Sequence, residues 1–232
     1  MKPLMILMLA ALSLFQCCKE AGENVQSFFS TGKWGEGVHQ GIESELLKEI
    51  RLNRMTSESM LDALSTNPEL YTKALLVRKQ TEITLDFIKT FREELIVHAE
   101  IYYRSGKAVN LARYQKQMEF TIGEEKDGKA YELQYALNDY VDKVNKIGGE
   151  LFVFQHFALD GWQIDDDLAA DLKKKDFAHL NFEKSSNLVC LTILRQFQQQ
   201  VTALEVAALT KLFKANEEVM RLVDNPNRDL AK

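Results

Sequence analysis

Between Ser186 and Val223, apolar side chains recur at alternating steps of three and four: Cys190, Leu194, Phe197, Val201, Leu204, Ala208, Ala215, Val219 and Leu222. That period places them on one stripe of a single long α-helix. Gln196, Gln198, Gln199, Gln200, Lys211, Lys214, Glu217 and Glu218 fill the opposite face, as solvent requires. Propensity alone does not stabilise a helix of this length, so partner helices must cover the stripe. Pro226 ends the pattern, and the residue before it, Asn225, is biased away from helical dihedrals.

The remaining sequence supplies those partners. Only 3 prolines and 11 glycines interrupt 232 residues, and 46% of the residues are apolar, which favours long helices over many short strands. A first soluble helix is expected from Val38 to about Leu64, with Ile42, Leu46, Leu47, Ile50, Met60, Leu61 and Leu64 on its apolar face. Asn67-Pro68-Glu69 then signals a new start: a capping Asn, a Pro for the first helical position, and an acid at the positive end. The helix it opens is expected to reach Arg104, with Ala74, Val77, Thr81, Leu85, Ile88, Phe91 and Leu95 inward and Ser105-Gly106-Lys107 as its stop. Residues 107–130 allow a short hairpin or an irregular loop. A helix follows from Ala130 to Ile147, stopped by Gly148-Gly149; then come a short helix over Glu150–Phe157, a turn at Gly161–Asp167 and an amphipathic piece at Leu168–Lys175. The fold class expected is all-α.

The N-terminus carries the address. Leu4 to Cys18 contains no charged residue, and Lys19 ends the run. Fifteen residues are short of the roughly 20 that a spanning helix needs. They suit the apolar region of a secretory signal. A lipoprotein signal is a second reading, with Cys17 or Cys18 as the lipidated residue, although Gln16 is a poor cleavage neighbour. An uncleaved anchor is the third, because Ala21, Val25, Phe28 and Phe29 prolong an apolar helical stripe. Each exports the rest of the chain; a buried N-terminal helix of a cytosolic protein is the remaining alternative. The domains are therefore residues 1–30, an anchor or signal segment, and residues 38–224, an elongated helical bundle. Ser30 to Gly37 reads as a linker, with Trp34 either at headgroup level or capping the bundle.

No constellation for chemistry emerges. His39, His98, His156 and His179 are far apart, without metal-ligand spacing. Asp165-Asp166-Asp167 resembles half of a calcium loop but lacks the other ligands. Asp176 and Glu183 flank Phe177–Phe182 as a polar cluster with no acid–base pairing. Cys190 on the apolar stripe behaves as a small hydrophobe. Phosphate loops, nucleophile elbows and zinc motifs are missing. A net charge of −5 argues against a nucleic-acid surface. The expectation is a helical module that binds, transmits or scaffolds, and not an enzyme; no cofactor or metal is implied. If Leu4 to Phe15 spans a membrane beside a partner, it supplies no proton-carrying carboxylate there, and any such group would belong to the partner.

Three stretches in order resemble one family. They are Leu4–Leu14 continuing to Lys19-Glu20 and Val25–Phe29; Asn67–Ala74 continuing through Ile88-Lys89 to Glu93–Ile96; and Leu180–Glu183, Leu191–Leu194, Gln198–Val201 and Glu205. Together they are similar to the N-terminal part of the GldM/PorM family of gliding motility and type IX secretion. The resemblance implies one inner-membrane helix, a first periplasmic domain that is a helical bundle, a homodimer, and a GldL-like multi-span membrane partner, in a complex that turns proton flow into motion. The family's later β-rich domains have no counterpart in these residues, and the Cys pair lies closer to a lipoprotein signal. The expectation is a shortened GldM-like protein: an accessory, a paralogue or one half of a split system.

Overall fold

The helix that follows Asn67 shows how local chemistry sets this fold. In the computed structural model, which describes residues 34–104, 107–109, 115–164 and 170–224, α1 spans Trp34–Leu64 and α2 spans Pro68–His98. Between them Asn67 caps α2, its side-chain oxygen accepting from the Leu70 N–H at 3.3 Å, with Pro68 opening the helix. The expected linker is corrected over Trp34–Gly37, which is already helical; its first residues, like the whole apolar run with Cys17 and Cys18, lie outside the described residues. Residues 1–44 and 45–232 form two units. The first contributes only the opening turns of α1 to the described residues, and the packed bundle belongs to the second.

α2 stops at His98, six residues before the expected Arg104. The Ile101 N–H returns to the Ile96 carbonyl (2.9 Å), the Glu100 N–H returns to Val97 (3.1 Å), and Glu100 holds φ at +52°. This is a Schellman closure with glutamate where glycine normally sits. The polypeptide then forms a small antiparallel hairpin, β1 (Tyr102–Arg104) with β2 (Lys107–Val109), where the sequence suggested the helix's end. A short helix, α3, occupies Gln115–Thr121 within the stretch expected to be loop or hairpin.

α4 runs Lys129–Gly148 and ends on Gly149, whose φ of +61° suits glycine. Gly148 must also be small: a Cβ there would meet the Phe152 ring at 2.4 Å. The expected helix over Glu150–Phe157 does not form. Asn145 pairs with the backbone of Phe154 on both sides, accepting from its N–H at 2.7 Å and donating to its carbonyl at 2.9 Å, as a neighbouring strand would. Phe152 and Phe154 turn inward while Val153 is 80% exposed, an alternation of two. Downstream, only a single 3-10 turn at Leu172–Lys174 stands where an amphipathic piece was expected, and residues 165–169 lie outside the described chain. α5, Phe177–Phe182, is capped by Asp176.

The spine is α6, Asn187–Asp224, 38 residues. Cys190, Leu194, Phe197, Val201 and Ala208 are buried as the period demands, Leu204 and Ala215 pack against the core, and Leu209 and Leu212 are fully buried beside them. The core lies among α2, α4 and α6. Val77, Ile88, Phe91 and Leu95 come from α2, and Leu133, Leu137, Tyr140 and Val144 from α4. Phe91 joins the end of α2 to the short helices, with ring centroids 5.6 Å from Phe120 and 6.0 Å from Phe182. Apart from the three-residue strands, the described residues are helical or irregular, and the fold class is all-α as expected.

Candidate functional site: a polar seam on the spine

Glu205 sits on the stripe of α6, four residues after Val201 and three before Ala208, yet it is 1% exposed. A charge placed there must find a partner. α2 provides Arg78, whose Nε donates to Glu205 Oε1 at 2.6 Å. From α1, Ser57 Oγ donates to the same oxygen at 2.8 Å and accepts from Arg78 Nη2 at 2.8 Å. Arg54 of α1 reaches Glu82 of α2 at 2.5 Å, and Glu82 also faces Arg78. Burial drives the Glu205 carboxyl above its ordinary range; Ser57 and Arg78 pull the other way without cancelling it.

Further polar pairs extend the junction along the spine. Asn53 donates to Thr202 at 3.1 Å, Thr210 lies 3.7 Å from the Met60 sulfur, and Asn67 donates to Asn216 at 3.0 Å. On the inner side, the Tyr140 hydroxyl donates to the Val201 carbonyl at 3.1 Å and lies 3.0 Å from Thr81 Oγ1. Burial raises the Tyr140 pKa well beyond the usual phenol value. α1 and α6 thus meet through paired polar groups in increasing register, 53 with 202 and 57 with 205. These contacts fix which turn of one helix faces which turn of the other.

A second knot surrounds Asp176. Its Oδ1 accepts from the His179 backbone at 2.9 Å and lies 2.7 Å from His179 Nδ1, while Oδ2 accepts from Lys126 at 3.0 Å and Tyr131 at 3.1 Å. Burial would raise this carboxyl; the bonds from His179 and Lys126 outweigh it and hold Asp176 below the carboxylate range. Glu183, the other expected acid, pairs with Lys175 at 2.8 Å. Both termini of α5 are therefore tied by charge, a structural use of the cluster expected there.

The structure does not gather the histidines. His98 stacks on Phe120 at 4.4 Å, His156 meets Asp142 at 2.8 Å, and His179 belongs to the Asp176 knot; the side chain of His39 and the Asp165–Asp167 run lie outside what the structure describes. Cys190 is fully buried, its thiol donating to Gln117 Oε1 at 3.2 Å, and burial pushes its pKa up. Among the described residues no group of three His, Cys, Asp or Glu side chains could hold a metal ion, and no helix is long and apolar enough to cross a membrane. An open cavity of about 560 Å³ lies between His98, Lys116, Phe120, Asp127, Lys129 and Glu132. Its lysines are engaged, Lys116 with Glu100 and Lys129 with Glu94 and Glu132. It offers mixed charge and no convergent set.

Sequence reasoning missed Ser57, Arg78 and the role of Glu205. The available signals were a lone carboxylate inside the apolar period of α6 and a break in the α1 stripe between Ile50 and Met60, where Asn53 and Ser57 keep the helical spacing. A family model described as the GldM N-terminal domain matches residues 37–215, more than half of the chain. No curated protein matches it.

Proposed function

Since the chain belongs to the GldM N-terminal domain family, whose members are structural components of gliding-motility and type IX secretion machinery, we propose that it is the periplasmic helical module of such a machine, held at the inner membrane by residues 1–30 and transmitting force or scaffolding through residues 38–224. The carrying observation is that the family match, residues 37–215, runs from the first turns of α1 through most of the spine. The spine supports a mechanical role. At about 1.5 Å per residue its 38 residues extend roughly 57 Å as one uninterrupted helix. The polar seam supports it too, because paired donors and acceptors resist the sliding that a purely apolar helix contact allows. On this reading the partner is a GldL-like multi-span membrane protein and the working unit a homodimer.

The test is purification of the full-length chain from native membranes. Co-purification with a multi-span membrane protein, and loss of gliding or secretion on deletion, are the expected results. A chain recovered alone, with secretion and motility intact after deletion, would sink the reading. The Cys17-Cys18 pair favours a second possibility, a lipoprotein binding module with an unrelated partner. Mass spectrometry of the native N-terminus separates the two: an unmodified start near Met1 supports the anchor, and a lipidated Cys17 or Cys18 supports the lipoprotein.

A further inference from the structure

α1 is fastened differently from the other long helices. α2 buries eight residues along its length, whereas between Glu45 and Leu64 α1 buries only Ser57 and Leu64. Its apolar contacts with the core, Leu64 with Met60 and Leu61, all lie at its C-terminal end. Leu46, Leu47 and Ile50 are only half-buried, and Leu52 and Met55 are 63% and 65% exposed. Upstream of Met60 the ties to α2 and α6 are polar: Asn53 to Thr202, Arg54 to Glu82, and Ser57 to Glu205 and Arg78.

We propose that α1 between Glu45 and Met60 is a releasable arm, docked on the spine by its polar seam and lifting from it as a unit while α2, α4 and α6 stay packed. Local opening is cheapest where little apolar surface is buried. Each hydrogen bond of the seam shifts the docking equilibrium by only about five- to tenfold, because water replaces it on release. The buried charges do not oppose release. Arg78 and Glu205 sit on α2 and α6 and keep each other when Ser57 departs, so no buried ion is left unpaired; Arg54 and Glu82, which part, are both well exposed. The turn at Ser65–Asn67 is held from the other side: the Asn67 N–H bonds the Leu64 carbonyl at 2.9 Å and the Asn67 side chain bonds Asn216, so bending falls above Leu64. This inference concerns how the chain docks on itself and stands whether or not the proposed function holds.

Hydrogen–deuterium exchange by mass spectrometry on the intact chain tests it. Amides of residues 48–57 are expected to exchange at least about a hundredfold faster than those of residues 77–91. Ser57→Ala should speed the first group by a further five- to tenfold or so and leave the second unchanged. Equal protection in the two segments, parallel acceleration of both by Ser57→Ala, or unfolding of the whole chain by that substitution would each overturn the arm.

Discussion

Arg78 and Glu205 show how one buried charge dictates its surroundings. A carboxylate 1% exposed on a helical stripe is unfavourable alone, and the guanidinium 2.6 Å away makes it tolerable. Removing one member should therefore hurt more than removing both. Arg78→Met is expected to lower unfolding free energy by about 3–5 kcal/mol, whereas Arg78→Met with Glu205→Met together should be near neutral, measured by urea denaturation. The pH dependence follows from the raised Glu205 carboxyl. A folded-state pKa above the unfolded one contributes stability that is complete below the unfolded value, about 4.3 for glutamate, and is lost as pH rises through the folded value. The stability of the parent chain relative to Glu205→Gln should thus be greatest near pH 4 and decline toward pH 7. Asp176 has the opposite sign: its depressed carboxyl contributes above about pH 3.9 and loses that contribution as pH falls through the folded value. Comparing Glu205→Gln with Asp176→Asn from about pH 2 to about pH 7 separates the two: a flat Glu205 difference above about pH 4 would contradict the first assignment, and a flat Asp176 difference below about pH 4 the second.

At the scale of elements, what was legible in the sequence is where backbone stops use their usual residues. Asn67-Pro68 opens α2 and Gly148-Gly149 closes α4 within a residue of expectation, because caps and left-handed stops depend on a few adjacent positions. The end of α2 was hidden because Glu100, not a glycine, takes the left-handed position there, held by the returning N–H groups and by its ion pair with Lys116. Gly106 drew the stop to the wrong place. The stretch after α4 was misread for a different reason: Leu151, Phe152, Val153 and Phe154 form an apolar run that a buried helix or an extended segment satisfies equally. Asn145, nine residues earlier, decides it by binding the backbone of Phe154. Asn145→Ala should strand that N–H and carbonyl and cost about 1–3 kcal/mol, with exchange protection falling first at Phe154. A loss below about 0.5 kcal/mol would show that the Phe152 and Phe154 rings, not the amide, hold the segment.

Across the folded unit, Phe91 is the side chain through which distant elements cohere, meeting Phe120 of α3 and Phe182 of α5 from its seat on α2. Phe91→Ala is expected to cost about 3–5 kcal/mol and to shift the thermal midpoint of the α2–α4–α6 core as one transition, read by circular dichroism and calorimetry. If α3 and α5 melted separately while the long helices kept their midpoint, the core would have to be divided. The sequence by itself determined the all-α class, the spine and several of the helix boundaries, since each rests on the period of one helix or on residues a few positions apart. Only the tertiary structure decided that Glu205 belongs inside, that Ser57 and Arg78 meet it, and that α1 is attached by hydrogen bonds where its neighbours are attached by apolar burial. Those outcomes depend on groups 21 to 148 residues apart in the chain, and a helical period fixes which face a side chain occupies without saying which other helix comes to meet it.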